Sequence, residues 1–69
     1  MTKIKINGSE KDFPEGLPET VAKLLELLNI QAATVVAEID GEIVESKNFS
    51  STYIKSGQNI ELVRFVPGG

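Results

Sequence analysis

One stripe of apolar residues at helical spacing constrains the fold of this chain more than any other feature. Its members recur at i, i+4, i+7, i+8 and i+11: Leu17, Val21, Leu24, Leu25 and Leu28. This pattern is typical of a helix that packs one face on a sheet. A chain of 69 residues has room for one core, so we predict that this single long helix covers the chain's own sheet. Pro18 suits the first helical position and Thr20 suits an N-cap, which leaves two possible starts, and Asn29 suits the left-handed end.

Strand patterns lie on both sides of this stripe. Polar and apolar residues alternate over residues 2–6, which predicts a strand with Ile4 and Ile6 on one face. Asn7-Gly8 then predicts a two-residue type I′ turn. The turn leads into a weak edge strand at residues 9–13, anchored by Phe13. After the helix, residues 34–39 form a β-branched run. Asp40-Gly41 predicts a second such turn into residues 42–44.

The last strand, residues 59–66, is the most apolar one, which favours the central position in the sheet. Ile60 and Leu62 should face the helix, which places Glu61, Val63 and Phe65 on the opposite face. The segment of residues 47–54 has no clean period, and we expect a short helical turn there. Its large apolar side chains are expected to pack inwards: Phe49, Tyr53 and Ile54.

Composition excludes several classes of function. The chain has no histidine and no cysteine, which removes the usual zinc sites, Ser-His-Asp triads and thiol nucleophiles. A net charge of −3 argues against a nucleic-acid partner. There is no apolar run of membrane-spanning length and no signal-peptide pattern, so we expect a cytoplasmic protein. Two groups of like charge, the lysines at 3, 5 and 11 and the carboxylates at 38, 40, 42 and 45, are interpreted as solvated surfaces.

The order of elements is strand, hairpin, strand, helix, strand, short strand, short helical turn, strand. We therefore predict an α+β, ubiquitin-like β-grasp fold, with one main helix across a mixed, mainly antiparallel sheet of four to five strands, and with adjacent, parallel terminal strands. The predicted domain covers residues 1–66. Residues 67–69 are expected to be a flexible tail that ends in Gly68-Gly69.

The whole chain resembles a ThiS-type sulfur carrier of thiamine biosynthesis, from the family that also includes MoaD. The resemblance rests on motifs that occur in order: IKING at 4–8, TVAKLL at 20–25, VAEIDGEIV at 36–44, SGQNIELV at 56–63 and the terminal GG. Two departures are Gln58-Asn59, where the family more often has an acidic residue after the glycine, and Pro67 before the diglycine. Pro67 stiffens the tail and bears on which enzyme accepts it.

The resemblance implies that the carrier supplies no catalytic side chain and holds no cofactor or metal. Gly69 would be adenylated by a ThiF-like enzyme with ATP and Mg, then converted to a thiocarboxylate that passes sulfur to a ThiG-like thiazole synthase. Gly68 would give clearance in a narrow channel. Val63, Phe65, Val66 and Pro67 would contact the partner.

Three alternatives remain open from the sequence. A MoaD-like carrier for molybdopterin would share the chemistry, a ubiquitin-like modifier would transfer Gly69 to lysine, and a plain β-grasp interaction module would have an inert tail. The residues do not indicate the sulfur donor or the oligomeric state.

Overall fold

A computed structural model describes residues 2–64 of the chain. Its elements, in chain order, are β1 (Lys3–Ile6), β2 (Ser9–Asp12), α1 (Val21–Leu27), a first 3-10 helix (Ala32–Thr34), β3 (Val35–Ile39), β4 (Glu42–Val44), a second 3-10 helix (Ser46–Ser51) and β5 (Asn59–Arg64). The predicted boundary between a domain and a tail, at residues 66 and 67, lies outside the described residues.

The strands form one five-stranded sheet in the order β2-β1-β5-β3-β4. β1 and β5 are parallel, whereas β1 with β2, β3 with β4 and β3 with β5 are antiparallel. α1 packs across one face of this sheet through Val21, Leu24 and Leu25, all of them buried. The predicted β-grasp fold is confirmed, as is the central position of the last strand.

Both hairpin turns have the predicted geometry. Asn7 and Gly8 have φ values of 51° and 84°, and Asp40 and Gly41 have values of 50° and 90°. A type I′ turn needs positive φ at both central residues, and its twist matches that of the flanking strands. Two local residues at each turn therefore set the register of that hairpin.

The helix is shorter than the apolar stripe that predicts it. Thr20 is the N-cap, and its Oγ1 accepts a hydrogen bond from the Lys23 N–H at 3.3 Å, so the later of the two predicted starts is correct. Leu17 lies in the preceding loop and packs against the core from there. The chain leaves the helix through Asn29, whose φ of 59° confirms the predicted left-handed residue.

The segment between β4 and β5 completes the core and corrects one expectation. The second 3-10 helix buries Phe49, which is 2% exposed, and Ile54 is also buried. Tyr53 was expected to pack inwards, but it is 60% exposed. It lies in an extended bridge opposite Thr20, where side chains alternate, so Ile54 points inwards and Tyr53 outwards.

Three strand limits differ by one residue from the predicted ones, and the first is that β1 begins at Lys3, not at residue 2. β2 ends at Asp12, one residue before Phe13, which packs partly buried against the core as the predicted anchor. β3 begins at Val35 because Thr34 belongs to the first 3-10 helix. None of the helices described within residues 2–64 has the length and hydrophobicity that a membrane crossing requires.

Candidate functional site

The central strand β5 leads directly towards the C-terminal residues. Ile60 and Leu62 are buried under the helix, as predicted, at 0% and 9% exposure. Val63 points to the opposite face, which we call the outer face of the sheet, and is 58% exposed. Pairing with β3 continues as far as Arg64, which gives the chain that follows β5 a fixed point of departure and direction.

Three exposed apolar side chains lie on the outer face near this end of β5. Val63 is directly opposite Val36 on β3, and Ile43 on the edge strand β4 lines the same shallow depression as Val36. The exposed fractions of Val36 and Ile43 are 38% and 72%. We call these three residues the outer apolar patch. Neighbouring apolar residues on the surface of a small domain commonly mark a site of protein contact.

Sequence reasoning identified Val63 and missed the other two members of this patch. A signal for Val36 was present, because it occupies the opposite phase of its strand from the buried residues Val35 and Ala37. Ile43 is directly opposite Glu38, whose side chain is on the outer face, so the side chain of Ile43 is on that face too. Bringing these positions beside Val63 required the pairing of β3 with β5, which is a long-range property of the fold.

The outer face has one half with charges of both signs and one half with carboxylates. On the β1 and β2 side, the Lys3 ammonium lies 4.0 Å from the Glu10 carboxylate. On the other side, Glu61 is directly opposite Glu38, and within residues 2–64 no ion pair involves either carboxylate. Like charges in facing positions repel, so this half of the face is acidic beside the outer apolar patch.

The other charged groups singled out from the sequence do not converge. Lys11 is opposite Ile4, on the helix side of the sheet, whereas Lys3 and Lys5 are on the outer face. This separation supports the interpretation of these lysines as solvated. Among the described residues there is no group of three or more potential ligands that could hold a metal ion.

The four carboxylates of the acidic segment are also distributed over different surroundings. Asp40 Oδ1 accepts a hydrogen bond from the Asn59 N–H at 2.9 Å, and Glu45 is 3.5 Å from Lys47. Glu42 is opposite Ile39 on the helix side, whereas Glu38 is on the outer face. Glu45 lines the same shallow depression as two residues of the outer apolar patch.

The remaining predicted site residues, Phe65, Val66, Pro67, Gly68 and Gly69, lie outside the described residues, and their roles stay predictions. Five residues follow Arg64. At roughly 3.3–3.6 Å per residue they reach at most about 17 Å from the end of β5. A partner that binds Gly69, as the resemblance implies, would therefore also lie close to Arg64 and the outer apolar patch.

The chain is similar to proteins of thiamine biosynthesis. The model of the ThiS family matches residues 4–69. A crystal structure of the thiamine biosynthesis protein ThiS from Geobacter metallireducens superposes with a TM-score of 0.82 at 31% identity, covering 99% of this chain and 100% of that one. A solution structure of a thiamine biosynthesis protein from the same organism gives 0.78 at 30% identity, with 99% and 88% covered.

A thiazole synthase from Paramagnetospirillum magneticum is 33% identical over 67 residues, or 97% of this chain. The chain spans only about a fifth (20%) of the length of that relative. The match to the ThiS family model extends over residues 4–69, from the first strand to the diglycine. The fold, its full-length structural relatives and this match agree: the chain belongs to the ThiS family.

Proposed function

We propose that this protein is a sulfur carrier of thiamine biosynthesis, which holds sulfur as a thiocarboxylate on Gly69. The observation that carries the proposal is the ThiS family match through residue 69, which includes the diglycine that follows the central strand. The structure supports it by placing the end of β5 beside the outer apolar patch.

The chemistry begins with a carboxylate, which is a poor acyl donor because oxide is a poor leaving group. Attack of a carboxylate oxygen on the α-phosphorus of ATP forms an acyl adenylate and releases pyrophosphate. A sulfur nucleophile then attacks the acyl carbon and expels AMP, which takes the transferred oxygen with it. When the nucleophile is hydrogen sulfide, loss of its protons leaves Gly69 as a thiocarboxylate with sulfur in place of one oxygen. When it is the persulfide of a donor, an external thiol must then reduce the S–S bond of the acyl disulfide that forms.

The contribution of the carrier to this reaction is to present the carboxylate of Gly69 to the enzyme. Gly69 provides the acyl group, and Gly68 lets the chain pass where a side chain would collide. The activating enzyme, expected to be ThiF-like and to use Mg and ATP, supplies the cations that stabilise charge at phosphorus. The outer apolar patch, together with the predicted contacts of Phe65, Val66 and Pro67, would hold the enzyme beside the tail.

A ThiG-like thiazole synthase is the proposed acceptor of the sulfur. The relative from Paramagnetospirillum magneticum, named as a thiazole synthase, contains a stretch similar to 97% of this chain. A carrier-like stretch within a protein of that name supports a functional link between the two.

Pyrophosphate–ATP exchange tests the activation step. With the cognate activating enzyme and Mg, the full-length protein should stimulate exchange, because formation of the adenylate is reversible. Deletion of Gly69 should lower exchange to the background without the carrier, while its urea unfolding midpoint stays unchanged. Equal exchange by the deletion variant would refute Gly69 as the acyl group, and transfer of the chain to a lysine amine would indicate a protein modifier instead.

A further inference from the structure

Within the described residues, β5 pairs with strands on both sides at its start and with a strand on one side only at its end. On one side, its pairing with β3 continues as far as Val35 opposite Arg64. On the other side, β1 pairs with it only at Lys5 with Asn59 and Ile6 with Ile60. The chain then turns away at Asn7, so within residues 2–64 the last residues of β5 have a neighbouring strand on one side only.

The hydrogen bonds of β5 show which main-chain groups face this open side. The Asp40 N–H donates to the Asn59 carbonyl at 2.9 Å, so the groups of Asn59 point towards β3. Main-chain groups alternate along a strand, which directs those of Glu61 and Val63 to β3 as well. Those of Ile60, Leu62 and Arg64 therefore point to the side of β1.

Two contacts with Asn7 confirm this alternation. The Ile60 carbonyl accepts a hydrogen bond from the Asn7 N–H at 2.9 Å, and the Leu62 N–H donates to Asn7 Oδ1 at 2.7 Å. The next groups in the row are the Leu62 carbonyl and the Arg64 N–H. Both lie beyond the last residue of β5 that pairs with β1, so within residues 2–64 no strand of the sheet faces them on this side, and Arg64 is exposed.

We propose that this open edge is a binding site for an extended segment of the activating enzyme, which pairs main chain to main chain with Arg64. The proposal rests on the proposed function, because it assigns a site for the partner of the tail. Unpaired strand edges are ready templates for another strand, and such pairing gives affinity without requiring particular side chains.

The position of the edge identifies its occupant. Only five residues separate Arg64 from the terminus, so the enzyme that binds the Gly69 carboxylate lies within about 17 Å of this edge. Val63 of the outer apolar patch is adjacent on the same strand, so the edge is continuous with the surface already proposed for docking. Pairing at Arg64 would hold the chain extended where it enters the enzyme.

A proline at position 64 tests this pairing specifically. Arg64→Pro removes the outward N–H and places the ring on the open edge, whereas the bonds between β3 and β5 use other donors. Arg64→Ala is the matched control, because it removes the side chain and keeps the N–H. We expect Arg64→Pro to bind the activating enzyme about tenfold more weakly than Arg64→Ala, measured by calorimetry. Both variants should unfold at urea concentrations close to that of the unmodified protein.

Hydrogen exchange of the Arg64 amide in the unmodified protein gives a second readout that does not depend on a variant's folding. Its exchange should slow by about tenfold or more in the complex. Equal affinities of the two variants, or unchanged exchange at Arg64 in a complex that adenylates Gly69, would overturn the proposed pairing and leave the carrier function intact. Failure of the unmodified protein to be adenylated would instead overturn the proposed function.

Discussion

Asn7 Oδ1 accepts a hydrogen bond of 2.7 Å from the Leu62 N–H, and this bond joins two residues 55 positions apart. The same Asn7 makes the hairpin turn possible with its positive φ of 51°. The backbone of Asn7 therefore turns the chain at the end of β1. Its side chain satisfies the Leu62 N–H of β5 at the point where the parallel pairing of these two strands stops. Asp40 has the corresponding role at the other turn, where its carboxylate binds the Asn59 N–H.

Replacing Asn7 separates these two roles. Asn7→Gly keeps the turn accessible but removes the acceptor from a partly buried N–H, and we expect a loss of about 1–2 kcal/mol in the free energy of unfolding. Asn7→Asp keeps an acceptor oxygen and should lose less. Urea unfolding of both variants provides the comparison, and an equal loss for the two would show that the hydrogen bond to Leu62 contributes little.

The segment between β4 and β5 offers a paired test of core packing. Phe49→Ala removes one of the largest fully buried side chains. We expect the free energy of unfolding to fall by about 3–5 kcal/mol, which is enough to leave most molecules of so small a domain unfolded. Tyr53→Ala should change stability by less than about 0.5 kcal/mol, since Tyr53 is 60% exposed. Thermal unfolding followed by circular dichroism distinguishes the two, and a large effect at Tyr53 would contradict its outward orientation.

Local patterns predicted much of this fold. The turns at Asn7-Gly8 and Asp40-Gly41, the inward phase of Ile60 and Leu62, and the central position of β5 all follow from short-range chemistry and hydropathy. Tyr53 was misplaced because its orientation depends on a bridge to Thr20, more than thirty positions away.

The outer apolar patch was only partly predictable for the same reason. Val63 could be placed by alternation along its own strand. Val36 becomes a neighbour of Val63 only through the long-range pairing of β3 with β5, which no local pattern encodes, and the β3–β4 hairpin then brings Ile43 to the same place. The diglycine was recognisable from position and composition alone, and its chemical role stays a prediction.

The outer apolar patch should contribute to binding of the activating enzyme. Truncating Ile43 and Val63 together to alanine should weaken the affinity by about tenfold or more while leaving the fold intact, because both side chains are largely exposed. Leu27→Ala is the matched control, since Leu27 is 65% exposed on the helix, away from the outer face. If calorimetry finds the same loss for Leu27→Ala, the docking surface is not confined to the outer face.

The proposed need for clearance at Gly68 can be tested by giving this residue a side chain. Gly68→Val adds a branched side chain next to the reacting residue, and it should reduce the rate of adenylation by at least about a hundredfold if the tail enters a narrow channel. Gly68→Ala should give an intermediate rate. Pyrophosphate release measures both rates, and a valine variant that is adenylated at the normal rate would refute the need for clearance.

The most direct measurement is the intact mass of the protein after incubation with its activating enzyme, Mg, ATP and a sulfur donor. Exchange of one terminal oxygen for sulfur adds about 16 Da, as expected for adenylation followed by sulfur attack. The gain should be confined to the C-terminal fragment and absent when Gly69 is deleted. An unchanged mass, with an enzyme shown to be active on another carrier, would contradict the proposal that this chain carries sulfur.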